Sequence, residues 1–366
     1  MARRLPLTTL LSFALVAFTI EFDNEAEHRQ PYRTSDHGGP ASAPWLVSMA
    51  MFLNCLQFVS AQGTAQRELE RQARTRTNWD GMRRWGYIYL EPDPGDPRPR
   101  PPQSAWLVRP TVKGRIIQES MRALLPEIEE RWRTRFGDLT VRNLRKALTA
   151  MLRMLPEGLP DCMPILHYGL VTEGPEPEMR GRSPQESELE NLPLPVLLAR
   201  ILLTLALEFE EESPLSLAIC ANILRVLESE GTLVARVPAM SGVSKEAVAM
   251  AVGFLQRHGY GQVLSQMPAK RGRIVLLNST GTQVQTEYPQ RLGFQEERWK
   301  ARIGADALAN LRAVLETLTG DGTREGSPLF QGLNPYPEGW RAKVPAATTL
   351  PHFPMVLHRG GFPDGS

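Results

Sequence analysis

The sequence predicts a mainly α-helical protein with small β wings, built from two tandem copies of one domain. Three observations predict it. EERWRTRFGDLTVRNLR at 129–145 returns as EERWKARIGADALANLR at 296–312, an ungapped match at offset 167. Nine of the 17 positions are identical, Glu129/Glu296, Trp132/Trp299, Gly137/Gly304 and Arg145/Arg312 among them; ordinary residue frequencies would give about one. LPLTTLLSFALVAFTIEFDNE at 5–25 likewise returns as LPLPVLLARILLTLALEFEEE at 192–212. Finally, helical periodicity fills most of each copy, with only two short β-branched runs between the helices. A period of about 170 residues is that of a domain, since solenoid repeats run at 20–50.

Composition agrees. A chain of 366 residues has a prior of two or three domains, and 42% apolar with 22% charged residues is ordinary for a globular protein. The net charge of +2 excludes any inference about partners from the overall balance, so a basic surface has to be local. Cys55, Cys162 and Cys220 are odd in number and widely spaced, which supports neither a disulfide framework nor a zinc site. Reduced, buried thiols fit a cytoplasmic location. Arg3 and Arg4 followed by LTTLLSFALVAFTI imitate a signal peptide, but acidic EFDNEAEHR follows, and the same pattern recurs internally. The run is shorter than the ~20 residues a span needs, so a structural helix is expected, with no membrane partner.

The division expected is a first repeat at 1–154, an acidic Pro/Gly linker at 155–191, a second repeat at 192–319 and an extended tail at 320–366. Leu7, Leu10, Leu11, Ala14, Leu15, Phe18 and Phe22 repeat at helical spacing and predict one wide apolar face, matched by Leu194 to Phe209. A greasy helix at a domain edge packs on a partner, here its own copy. Second helices are expected at 44–59 and 214–227, each opened by proline. In the second half follow a helix at 235–240, a turn at Ser241–Gly242–Val243, and a helix with Ser244 as N-cap, core residues Val248, Ala251, Val252 and Leu255, and a stop at His258–Gly259. In the first half Thr64 is expected to cap a helix through Ala73, with a further helix from about Thr77 to Trp85. Hairpins follow: 87–92 with 105–110, and 260–265 with 273–278. Thr111–Gly114 and Thr280–Gly281 open the long helices that carry Trp132 and Trp299, and a last helix in each half holds Leu144 or Leu311.

That order of elements is the winged helix-turn-helix. With long first and last helices, and with GVSKEAVAMAVGFLQRHGY at 242–260 and RPTVKGR at 109–115, the chain resembles the MarR family of bacterial transcriptional regulators. The resemblance covers roughly 7–154 and 194–319. It implies two tandem winged helix-turn-helix domains forming an intrachain pseudo-dimer, held together by 7–25, 138–154, 194–212 and 304–319, with double-stranded DNA as partner. It also implies a small-molecule effector between the pairing helices and the DNA-binding lobes, near Trp45, Phe52 or Tyr87.

Residue chemistry points the same way. The second helix of such a pair fits the major groove with its N-terminal residues at base edges. In the second half those include Ser244 and Lys245, with Lys270, Arg271 and Arg273 at the wing tip placed for phosphates. In the first half Arg74, Arg76, Thr77 and Asn78 lie at the entrance of the recognition helix, and Arg98 and Arg100 in a proline-extended wing loop. Leu69 to Gly86 spans 17 residues against 22 from Val237 to Gly259, so the first recognition helix is expected to be short by more than a turn. That shortening, and the apolar Ala249, Met250 and Gly253 of the second, favour the alternative of a protein–protein adaptor with weak or lost DNA binding. Trp132 and Trp299 are expected as core or interface anchors rather than ligand binders, and Glu21 and Glu208 as helix surface or symmetric polar contacts rather than catalytic acids. Scattered histidines give no metal spacing, and no catalytic motif, cofactor or enzyme activity is expected.

Overall fold

The computed structural model describes residues 4–30, 48–73, 79–155, 159, 161, 186–265, 272–343 and 347–354. The chain is mainly helical, with two small antiparallel sheets. In the first half come α1 (Leu7–Arg29), α2 (Met49–Leu56), β1 (Thr64–Ala65), α3 (Gln66–Ala73), α4 (Trp79–Arg84), β2 (Ile88–Glu91), β3 (Leu107–Pro110), α5 (Val112–Phe136) and α6 (Asp138–Leu152). A short α7 (Glu186–Glu190) precedes the second half. There α8 (Leu194–Glu212), α9 (Leu217–Leu224), β4 (Thr232–Leu233), α10 (Val237–Ser241), α11 (Lys245–Arg257), β5 (Gly261–Ser265), β6 (Arg273–Leu277), α12 (Ser279–Ile303) and α13 (Ala305–Thr319) follow in the same order. The long helices agree in length: α5 and α12 have 25 residues each, α6 and α13 have 15.

Each expected hairpin gains a third strand. The sheet orders are β1-β3-β2 and β4-β6-β5, with Thr64 opposite Val108 and Thr232 opposite Val275. Thr64 therefore sits in a strand rather than capping the following helix, which begins at Gln66. In the second half the cap is also shifted: Asn278, not Thr280, accepts from the Gly281 backbone N–H at 2.9 Å. Thr111 does the same for Gly114 at 3.0 Å. Two-residue strands leave no alternation to detect, and both Thr64 and Asn278 are cap-type residues by composition, so neither correction was visible locally.

The helix-turn-helix of the second half forms as its residues dictate. Gly242 ends α10 at φ +78, a left-handed conformation that other residues avoid. The Ser244 hydroxyl accepts from Ala247 N at 3.2 Å and starts α11, which buries Val248, Ala251, Val252 and Leu255.

One continuous core joins the two halves. α1 packs on α8 and α13, and α6 packs on α13 and α8. The contact is reciprocal down to single side chains. Arg145 of α6 pairs with Glu129 at 2.8 Å and donates to the Leu192 carbonyl at 2.8 Å, just before α8. Arg312 of α13 pairs with Glu296 at 2.5 Å and donates to the Leu5 carbonyl at 2.7 Å, just before α1. Each half thus holds the start of the other's first helix through the same three positions, as a two-fold-related pair requires. Within each half a glutamine ties the long helix to the end of the short one. Gln118 donates to the Leu56 carbonyl at 2.9 Å, and Gln285, 167 positions on, to the Leu224 carbonyl at 2.6 Å.

α1 departs from the expected single apolar face. It is long and apolar enough to cross a membrane, but here every residue from Leu7 to Glu27 is buried inside the protein. The second cover is the C-terminal tail. The Ser12 hydroxyl donates to the Pro351 carbonyl at 2.8 Å, Asn24 donates to the Leu333 carbonyl at 3.2 Å, and Tyr336 donates its hydroxyl proton to Glu25 at 2.8 Å. Trp340 N donates to Glu27 at 3.0 Å, and the buried Arg341 lies 3.7 Å from Asp23. Burial outweighs the Arg341 attraction and pushes the Asp23 carboxyl up to about 6.

Candidate nucleic-acid interface

The second half presents its basic residues at two places. Lys245 stands in the first turn of α11 with its side chain 84% exposed, its ammonium 3.7 Å from Glu246. Ser244 spends its hydroxyl on the cap beside it. Arg257 is exposed at the other end of α11, where the chain turns through Gly259 at φ +70 into β5. Arg273 is exposed opposite Ser265, at the tip end of the hairpin. Lys270 and Arg271 lie outside the described residues. Ala249 is exposed on α11, while Met250 is half-buried and packs against the core.

Between α3 and β3 of the first half, four of the described arginines pair with nearby acids, while Arg67 and Arg84 are exposed on α3 and α4. Arg71 pairs with Glu68 at 2.7 Å, Arg83 with Asp80 at 3.0 Å and Arg98 with Asp96 at 2.5 Å; Arg109 pairs with Glu91. The arginine hydrogen bonds hold Glu68 and Asp96 near 2, well below the ordinary carboxylate range. Arg100 is exposed in the wing loop. Arg74, Arg76, Thr77 and Asn78 lie outside the described residues, and the helix after them, α4, has six residues against 13 in α11.

Of the residues expected to hold an effector, Trp45 lies outside the described residues. Phe52 and Tyr87 do meet, edge to face at 6.2 Å between ring centres, and both are buried in the core. The Tyr87 hydroxyl, pushed up by burial, has no hydrogen-bond partner among the described residues.

A further pair of sites is built around the paired tryptophans and the matched Glu21 and Glu208. In the first half Trp132 donates its indole N–H to Glu21 at 2.9 Å and Arg135 pairs with the same carboxylate at 2.7 Å. Arg131 pairs with Glu25 at 2.9 Å. In the second half Trp299 donates to Glu208 at 2.5 Å, Arg302 pairs with Glu208 at 2.8 Å, and Arg298 pairs with Glu212. These are the same positions, and both tryptophans are core anchors held by symmetric polar contacts. The surroundings differ. The first cradle lies under the tail, leaving the side chains of Glu21 and Glu25 3% and 5% exposed. The second is open: Glu208 is 26% and Glu212 57% exposed, lining a cavity of about 290 Å³ with Glu211, Arg298, Trp299 and Arg302. The signal in the sequence was the identity of these positions across the repeat, which marked them without saying that one set would be covered.

The tail also reaches the helix-turn-helix of the second half. Asn222 of α9 donates to the Phe353 carbonyl at 2.9 Å and accepts from His352 N at 2.6 Å. A Cβ on Gly242 would lie 2.7 Å from the Thr349 carbonyl oxygen, so the tail passes directly against the turn between α10 and α11. Comparison with family models, with curated proteins and with solved structures gives no match.

Proposed function

We propose that this chain is a DNA-binding transcriptional regulator of MarR-like type, in which two winged helix-turn-helix units within one polypeptide take the place of a dimer. The observation that carries the reading is the reciprocal Arg145–Leu192 and Arg312–Leu5 contact between halves of identical element order. Two-fold pairing of units, each with a short helix pair and a three-stranded sheet, is the architecture that straddles successive turns of a duplex, with half-sites ~34–36 Å apart. α11 is long enough to lie in a major groove, and Lys245 at its start and Arg273 at the hairpin tip supply cations to bases and phosphates. Because α4 has six residues against 13 in α11, the second half is the principal reader and the first half a weaker one. The preferred site is therefore asymmetric. Control by a small effector follows only from the family likeness, with the core around Phe52 and Tyr87 as its place.

The short α4 and the ion pairs of Arg71, Arg83 and Arg98 favour a second reading, a winged-helix adaptor for proteins. Binding to random-sequence duplex at 50 and 200 mM salt separates the two. A regulator binds at low salt and loses affinity steeply with log salt, with a slope of about −0.9 per neutralised phosphate. Absence of binding at 50 mM rejects the regulator.

A further inference from the structure

The two halves build the same ion-pair and indole cradle, and among the described residues the chain's own tail covers only the first. In the first half the backbone of Gly332 passes so close over the Glu21–Arg135 pair that a Cβ there would lie 2.1 Å from Arg135 Nη1. Four residues on, the Tyr336 hydroxyl reaches Glu25, which also receives Arg131 and Arg29. In the second half Glu208–Arg302 stands where Glu21–Arg135 stands, and Glu212–Arg298 where Glu25–Arg131 stands, with Trp299 beneath. Nothing among the described residues covers these carboxylates.

We propose that this open cradle is a docking site for an extended peptide segment of a partner protein, with the chemistry of Gly332–Tyr336. The segment carries a glycine to pass over Glu208–Arg302 and, four residues later, an aromatic hydroxyl to donate to Glu212. The cradle has three carboxylates, Glu208, Glu211 and Glu212, against two guanidiniums, Arg298 and Arg302, so it favours a neutral to basic segment. Position 24 is an asparagine that donates to the tail's Leu333 carbonyl, whereas its counterpart, Glu211, only accepts.

The tail itself is held to the first half by groups of which the second keeps a carboxylate only at Glu210, in the place of Asp23. Arg341 and the neighbouring backbone rest on Asp23 and Glu27, and the counterpart of Glu27 is Pro214. The cis tail is thus committed, and the second cradle is left for a segment supplied in trans. Docking there needs no nucleic acid, so the proposal goes beyond the DNA-binding reading and stands or falls separately from it.

The test uses a synthetic peptide of residues 328–343 as the probe, titrated into the full chain by calorimetry. One site per chain is expected. Glu212→Ala, at an exposed side chain that the fold does not need, weakens binding tenfold or more. A peptide with Tyr336→Phe loses a similar factor, and the two losses do not multiply when combined, because both remove one hydrogen bond. Absence of binding overturns the proposal. So does binding that is indifferent to Glu212→Ala but lost in Glu25→Ala, since the peptide would then be displacing the tail from the first half.

Discussion

Gly114 and Gly281 occupy equivalent positions in the first turns of α5 and α12, and neither has room for a side chain. A Cβ at either would lie 1.9 Å from a backbone carbonyl oxygen, that of Tyr87 or of Tyr260. The neighbour is backbone, so it cannot rotate away. Gly281→Ala is therefore expected to destabilise the protein by about 2–4 kcal/mol, as forced overpacking does. Urea denaturation measures it, and a loss under about 0.5 kcal/mol would refute the steric account. The sequence marked both glycines as helix openers; it could not show that each lies beneath a strand more than 20 residues away in the chain. Glu25 makes a different prediction. Burial raises its pKa, but hydrogen bonds from Arg131, Arg29 and Tyr336 outweigh that and hold it at about 2, against 4.5 for the ordinary group. Its charged form therefore stabilises the fold fully above pH 4.5, and the contribution is lost as pH falls toward 2. After screening, about 1–2 kcal/mol is at stake. The difference in unfolding free energy between wild type and Glu25→Gln should shrink between pH 5 and pH 2.5. A pH-independent difference would show that the carboxyl's charge contributes nothing.

At the scale of elements, what was legible was what is local. The N-cap at Ser244, the left-handed Gly242 and the buried stripe of α11 follow from neighbours within a few residues, and they formed as their chemistry dictates. The long helices and their pairing were legible for another reason: the repeat supplied each one twice. α1 was misjudged because its second cover lies more than 300 positions away, where Pro351 meets Ser12 and Leu333 meets Asn24. Periodicity reports which side of a helix is apolar, not how many sides are covered. The same tail joins α1 to α9 through Asn222, which is fully buried and makes hydrogen bonds with His352 N, Phe353 N and the Phe353 carbonyl. Burial and the Arg225 charge push the His352 imidazole down to about 3, so it stays neutral in this joint across the physiological range. Asn222→Ala leaves these backbone groups buried without partners and should cost about 2–4 kcal/mol. Amide exchange at 350–353 should accelerate while that of α6 and α13 is unchanged. Equal acceleration everywhere would mean that the substitution unfolds the whole protein rather than releasing the tail.

For the whole molecule, two halves share one order of elements and differ at their surfaces. The halves share the reciprocal clamp, which holds them together, and the glutamine tie and indole cradle, which brace each half internally. They differ in the parts that face outward: a six-residue α4 against a 13-residue α11, and a covered cradle against an open one. A symmetric dimer must bind a symmetric partner, whereas a fused one is free to give each half its own partner. If the second half is the principal reader of DNA, removing its cations has to act through phosphate count. Lys245→Ala and Arg273→Ala should each weaken binding to every duplex by a similar factor and flatten the salt dependence by about one unit. Arg83→Ala and Arg98→Ala should have smaller effects on affinity and slope, because they lie on the half with the short α4 and pair with Asp80 and Asp96 at 3.0 and 2.5 Å, closer than the 3.7 Å of Lys245 and Glu246. Fluorescence anisotropy across 50–300 mM salt resolves slopes of this size. Equal effects from the two halves would mean that the local ion pairs of the first half open to meet the duplex, and the assignment of unequal roles would then be wrong even though DNA is bound.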